Sequence, residues 1–342
     1  MDGDLLYEGD AFKWQKFANS LRIRMLMRLE KKRGGSTVGA EIQSILDSNP
    51  VFESNDDNAT FPYLATFPNQ NPRHSGRVGG FDEKRMSQKA EIRMKAINDP
   101  RMLVYFRPVD NPDTLSAYFG EDLAGITASS GMNRTAFRDF LVNAYNADPN
   151  SARQYYNTFK GLPNGLSENN AIIFNGSRQN QSRLGEIVRE LPNGVDMHFM
   201  TYAELSFILA EATQKGYISG DAATFYVNGI ESAMSMYSLT AAPAYYTQEG
   251  VALSADGETA LDQIALQKWM ALFYNGMEAY FDWRRTGRPE ITPGDDNLNN
   301  GVVPLRFVYP DAEQSLNADN WQEAINRIGG DDNINGVMWL LQ

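Results

Sequence analysis

The apolar positions of this chain fall into helical periods over long stretches, most sharply between residues 198 and 290. Tyr202, Leu205, Leu209 and Ala212 make one stripe at three- to four-residue spacing, widened by Ala203 and Ile208, and Gly216 breaks it. Ala222, Phe225, Tyr226, Gly229, Ile230, Ala233, Met234 and Tyr237 make a second. Leu261, Ile264, Ala265, Trp269, Leu272 and Phe273 make a third, turned by Asn275-Gly276. Met277, Tyr280 and Phe281 begin a fourth that ends near Gly287 and Pro289. These periods predict helices near 200–215, 221–238, 257–275 and 277–286, packed as two antiparallel hairpins around Leu209, Phe225, Ile230, Leu261, Trp269 and Phe273. Two helices joined by a short turn make a tetratricopeptide-like unit of about 34 residues. Such units are placed at about 198–238 and 257–290. A buried Trp269 would lose about 3–5 kcal/mol on truncation to alanine.

Upstream, Asp10 can cap a helix over 11–32 that carries Trp14, Phe17, Ala18, Leu21, Met25 and Leu29 on one face. Gly34-Gly35 ends it, and a second helix over 38–46 stops before Asn49-Pro50. Residues 51–81 are rich in Asn, Pro and Gly and read as a long loop holding Phe61, Tyr63 and Phe67. A short helix over 87–97 precedes an extended LVYF at 103–106. Residues 107–197 are the least periodic part. In the tail, LRFVY is a strand candidate ended by Pro310, and a helix is expected over 318–328. The predicted fold is mainly α, with tetratricopeptide-like helical hairpins, long irregular loops and a few short strands, in a single domain over 1–342.

With 42% hydrophobic and 22% charged residues, the 342-residue chain can bury a core without metals or disulfides, and it has no cysteine. A net charge of −12 argues against nucleic acid as a partner. The basic residues of 1–33 read as the solvated face of the first helix. No run of eighteen apolar residues occurs, and MDGDLLYEGD is acidic where an export signal needs a basic segment and an apolar core.

Candidate chemistry is sparse. Glu278 and Asp282 lie four apart on one helix face, as an acid and a base could, but Arg284 and Arg285 beside them favour ion pairs. His74 and His198 stand outside any metal-ligand or triad spacing. Two GDDN runs, at 294–297 and 330–333, lack the spacing of a calcium loop and read as turns. The sequence therefore calls for no cofactor, no metal and no catalytic residue.

Several segments resemble a known family. DLLYEGDAFKWQKFANSLRIRMLMRL, NDPRMLVYF, FMTYAELSFILAEA followed by GD…Y..GI..SM, ALDQIALQKWMALFYNGMEAYFDWRRTG, VYPDAEQSLN and GGDDNINGVMWL match, in order, landmarks of the SusD/RagB-like outer-membrane nutrient-binding lipoproteins. The resemblance implies a protein on the extracellular face of the outer membrane. There it would cap a SusC-like TonB-dependent barrel and capture oligosaccharides or peptides, by binding and not by chemistry. It also implies a lipid anchor and two earlier tetratricopeptide units, so the chain is expected to lack the natural N-terminus of the full-length protein. The residues alone also permit a helical-repeat adaptor that binds protein or, on aromatics and carboxylates only, a glycoside hydrolase.

A ligand site is expected on the face built by 55–81 and 107–182, since loops on a rigid helical scaffold carry binding residues. Tyr118, Tyr155 and Tyr156 are the candidate stacking rings, with Asn175 and Arg178 as polar partners for sugar hydroxyls.

Overall fold

The computed structural model describes residues 3–72, 84–109, 134–170, 180–189, 194–294 and 296–342. Helix α1 spans Ala11–Arg28, and Asp10 caps it by accepting from the N–H groups of Phe12 and Lys13. The helix breaks at Leu29, and one further turn, Glu30–Arg33, ends at Gly34. The φ of +81° at Gly34 suits glycine and reverses the chain into α2, Gly35–Ser48. The inner face of α1 is not the expected apolar stripe. Trp14, Ala18 and Met25 are exposed, whereas Lys16, Asn19, Ser20, Ile23, Arg24, Leu26 and Met27 are buried. Polar groups sit inside because each meets a partner: Lys16 pairs with Asp57 at 2.9 Å and Arg24 with Glu204 at 3.1 Å.

After the loop, β1, Ala59–Phe61, and β2, Met197–Met200, form a two-stranded antiparallel ladder in which Thr60 faces His198. Between them in sequence come α3, Gln88–Ala96, α4, Met102–Tyr105, and α5, Arg134–Ala147. One expectation is corrected here. LVYF is largely helical, because Met102, Leu103, Val104 and Tyr105 are all buried and a wholly buried run has no period to read. The aperiodic middle contains α5, which drives Leu141 and Tyr145 into the core.

The four main helices are α6, Tyr202–Gln214, α7, Ala222–Ser235, α8, Gly257–Ala271, and α9, Gly276–Thr286. Helix α6 is buried continuously from Ala203 to Ala212 and is the axis of the molecule. Helix α7 packs closely on it. A Cβ at Gly229 would lie 2.8 Å from the Phe207 ring, so glycine sets that approach. Helix α9 runs antiparallel to α8 at side-chain distance, joined through Lys268–Asp282 and through Arg288 to Glu258 and Asp262. Leu209 and Ile230 are buried as expected, while Phe225, Leu261, Trp269 and Phe273 are half-buried. Trp269 is thus only partly shielded, and its truncation should cost less than the full-burial value.

Two apolar clusters result. One gathers α1, α2 and the outer side of α6; the other gathers α3, α4, α5, α7 and α8. In the tail, LRFVY pairs with no strand among the described residues. Phe307 is 79% exposed, and only Leu305 and Arg306 donate to the Ile334 carbonyl. Helix α10, Ala318–Arg327, follows as expected. No described helix is long and apolar enough to cross a membrane.

Candidate functional site

Three of the concavities among the described residues differ in chemistry. The first, about 410 Å³, lies beside a buried network of charges. Arg285 of α9 pairs with Glu30, with Glu211 of α6 and with Asp282. Lys215 joins Glu30 and Glu211, and Lys268 joins Asp282. Glu278 pairs with Arg24 and Arg28. The two carboxylates that could have been an acid and a base are thus consumed by ion pairs, as their arginine neighbours suggested.

The second, about 300 Å³, is lined by Trp269, Phe273, Tyr280, Trp283 and aliphatic residues. The Tyr280 hydroxyl is spent on the Pro304 carbonyl at 2.7 Å. A sugar carries a hydroxyl on most carbons and needs directional partners, of which this mostly apolar lining offers few, the Trp283 Nε1–H, unpartnered among the described residues, being one.

The third, about 510 Å³, combines both kinds of surface and falls within the size range of ligand pockets. The ladder supplies its polar wall. Thr60 and His198 are cross-strand neighbours, so their side chains share one face, and His198 Nδ1 and Thr60 Oγ1 share a hydrogen bond of 2.9 Å. Met197 and Phe199 flank His198 and point the other way, 49% and 40% exposed. Asp196 enters just before β2. Its Oδ1 accepts from the Tyr63 N–H at 3.0 Å, and among the described residues Oδ2 has no partner. Asn55 and Asn58 come from the turn before β1. Asn55 holds the end of α7 through Ser232 and Ser235, and Asn58 accepts from the Tyr202 N–H. Val104, Val142 and Ile187 give the apolar floor, and Met236, Tyr237 and Ser238 close the side.

Burial sets the electrostatics. It pushes the Asp196 pKa up against the lowering effect of the Tyr63 N–H. It pushes His198 down to about 4, so the ring is neutral near pH 7. The sign follows. In the unfolded chain His198 titrates near 6.5, so between pH 6.5 and 4 the unfolded state binds more protons and stability falls as the pH falls. The expected result is an imidazole resonance of His198 with a midpoint near 4 by NMR; a midpoint at 6 or above would mean that the ring is solvated. His74, the other histidine, lies outside the described residues.

The expected ligand residues divide sharply. Tyr118, Asn175 and Arg178 lie outside the described residues. Tyr155 is half-buried and packs on Phe140 with ring centres 5.7 Å apart. Tyr156 is 3% exposed and donates to the Asn98 carbonyl at 3.0 Å. Its ring is core and presents no face to a ligand in this structure. The polar residues of the third pocket were not singled out in the sequence, although Asn55, Asn58 and Thr60 fall in or beside the segment expected to bind. His198 was read as solvated or satisfied, and it is satisfied.

The family model described as "starch-binding associating with outer membrane" matches residues 1–310. This chain belongs to the SusD-like family. A SusD homolog from Bacteroides fragilis is 26% identical, with a TM-score of 0.76 over all of this chain and 70% of its own length. A chitin-binding protein is 26% identical, with a TM-score of 0.72 over 99% of this chain and 67% of its own. A chitin-binding SusD homolog from Flavobacterium johnsoniae shares the fold at 23% identity and a TM-score of 0.72, over 98% of this chain and 65% of its own. No curated protein matches. Of the two GDDN runs in this SusD-like fold, the first includes Asp295, which lies outside the described residues, and the second, 330–333, is irregular chain just before a turn at 334–335. Asp296 accepts from the Ser167 N–H at 2.7 Å, and Asp332 accepts from the Tyr309 N–H and pairs with Arg306. No metal-ligating cluster occurs among the described residues.

Proposed function

We propose that this SusD-like chain binds a nutrient oligosaccharide at the outer face of the outer membrane, held there by a lipid anchor. It would act as the accessory of a SusC-like TonB-dependent barrel and would carry out no chemistry of its own. The observation that carries the reading is the third pocket, in which hydroxyl, amide, imidazole and carboxylate groups surround an apolar floor. A pyranose presents that same mixture, with polar edges and an apolar face. The family description and the chitin-binding relative support a glycan as ligand. Tyr118, Tyr155, Asn175 and Arg178 remain proposed contacts for further sugar units.

Calorimetry with N-acetylglucosamine and maltose-type oligomers tests the reading. The expected affinity is near the millimolar level, about −4 kcal/mol, since sugar hydroxyls exchange water partners for protein ones. A folded protein that takes up neither oligomer, nor any member of a glycan array, would overturn it.

A further inference from the structure

We propose that this pocket accepts uncharged or amine-bearing sugars and rejects acidic ones such as uronates, with Asp196 as the residue that discriminates. The inference rests on the glycan reading above and adds the charge class of the ligand.

The formal charge of the pocket lining supports it. Among the described residues, thirteen side chains or backbone segments line the cavity, and Asp196 alone carries a formal charge near neutral pH. No lysine or arginine is among them. Burial holds His198 neutral, so no imidazolium offsets the carboxylate. The cation on the ladder's other side, Arg24, is already engaged by Glu204 and the Phe199 carbonyl. A sugar carboxylate entering this cavity would meet a like charge on a half-buried residue and, among the described lining residues, no counter-charge.

The free oxygen gives the attractive half of the argument. Oδ1 of Asp196 is fixed by the Tyr63 N–H, which leaves Oδ2, on a residue that lines the cavity, without a partner among the described residues. A hydroxyl or amide N–H donates to it directly, and a protonated amine donates with charge assistance. Glycan recognition that includes an acid needs the opposite arrangement, a guanidinium or ammonium facing the ligand.

The test is calorimetry near pH 6 with three oligomers of equal length: N-acetylglucosamine, glucosamine and galacturonate, each against the wild type and Asp196→Asn. The asparagine retains an oxygen for the Tyr63 N–H, and circular dichroism checks that the fold is kept. In the wild type, the galacturonate oligomer should bind about tenfold or more weakly than the N-acetylglucosamine oligomer, and the glucosamine oligomer at least as well as the neutral one. In Asp196→Asn the acidic oligomer should gain several-fold, the amine oligomer should lose several-fold, and the neutral one should move by less than about twofold. Added salt should weaken the wild-type discrimination. Equal wild-type binding of the acidic and neutral oligomers, or ratios unchanged in the variant, would overturn the inference and leave the glycan reading standing. If none of the three binds, the inference fails, and the glycan reading falls with it only when maltose-type oligomers and the glycan array also give no binding.

Discussion

Arg285→Ala should lower the unfolding free energy by about 3–5 kcal/mol, the cost of breaking a buried ion pair from one side. Arg285 is 5% exposed and contacts Glu30, Glu211 and Asp282 at 2.5 to 2.8 Å. Removing it leaves two buried carboxylates, Glu30 and Glu211, and the half-buried Asp282 to share Lys215 and Lys268. The pH dependence should change as well. Burial pushes the Glu211 pKa up, but the charge and hydrogen bonds of Arg285, with Lys215 and Lys268, outweigh it and hold the carboxyl well below its ordinary value. Asp282 is likewise held low, by Lys268 and Arg285 against burial. A carboxyl lowered in the folded state stabilises above its unfolded pKa, near 4, and that stability drains as the pH falls further. Wild-type protein should therefore lose stability mainly below about pH 4, whereas in Arg285→Ala the carboxyls are held less low, so acidification costs the variant less and the gap between the two proteins should narrow as the pH falls through about 4. Urea titrations at several pH values measure both; a loss under 1 kcal/mol at neutral pH would contradict the network's role.

Asp99→Ala should have an effect of similar size, about 3–5 kcal/mol. Asp99 and Arg101 are both fully buried. Asp99 Oδ1 accepts from the backbone N–H and Nε of Arg101 at 2.9 and 2.8 Å, and Oδ2 accepts from Nη2 at 2.5 Å and from the Tyr245 hydroxyl at 2.7 Å. Gln267 of α8 closes the circle, accepting from Arg101 and donating to Tyr245. The fork fixes the turn between α3 and α4 against α8. Alanine leaves a guanidinium in the core with only Gln267 as a strong acceptor, whereas Tyr245→Phe removes one hydroxyl and should cost about 1–2 kcal/mol. Equilibrium unfolding of both variants gives the ranking, and a reversed order would place the energy in the tyrosine bond instead.

These two clusters show where the sequence was readable. Among the helices of 198–290, α7, α8 and α9 announced themselves because each leaves one face partly wet, so burial imprints a period, whereas α6 is buried all round from Ala203 to Ala212 and showed through its length and its Gly216 stop. Their ends fell within a few residues of the prediction, since Asp221, Asp256 and Gly287 are conventional caps. The DPR of NDPRMLVYF was legible as a family landmark, but its meaning was not, because the partners Tyr245 and Gln267 lie far along the chain. Helix α1 misled for the opposite reason. Its inner side mixes Ile23, Leu26 and Met27 with Lys16 and Arg24, which pair with distant carboxylates, so Trp14, Ala18 and Met25 of the expected stripe are left exposed. The pocket was hardest to foresee. Asp196, His198 and Thr60 become neighbours only through the pairing of β1 with β2, and each residue type is ordinary in a loop.

The charge network around Arg285 also constrains how this protein can diverge. Arg24, Arg28, Lys215, Lys268 and Arg285 face Glu30, Glu204, Glu211, Glu278 and Asp282, so opposite charges balance across four segments of the chain. An apolar replacement of the whole set could be as stable as the original, yet each single step toward it strands a charge. Random drift meets a barrier at every one of these positions, although the destination lies no higher. A library that samples the ten codons together could cross where one-at-a-time mutagenesis stalls.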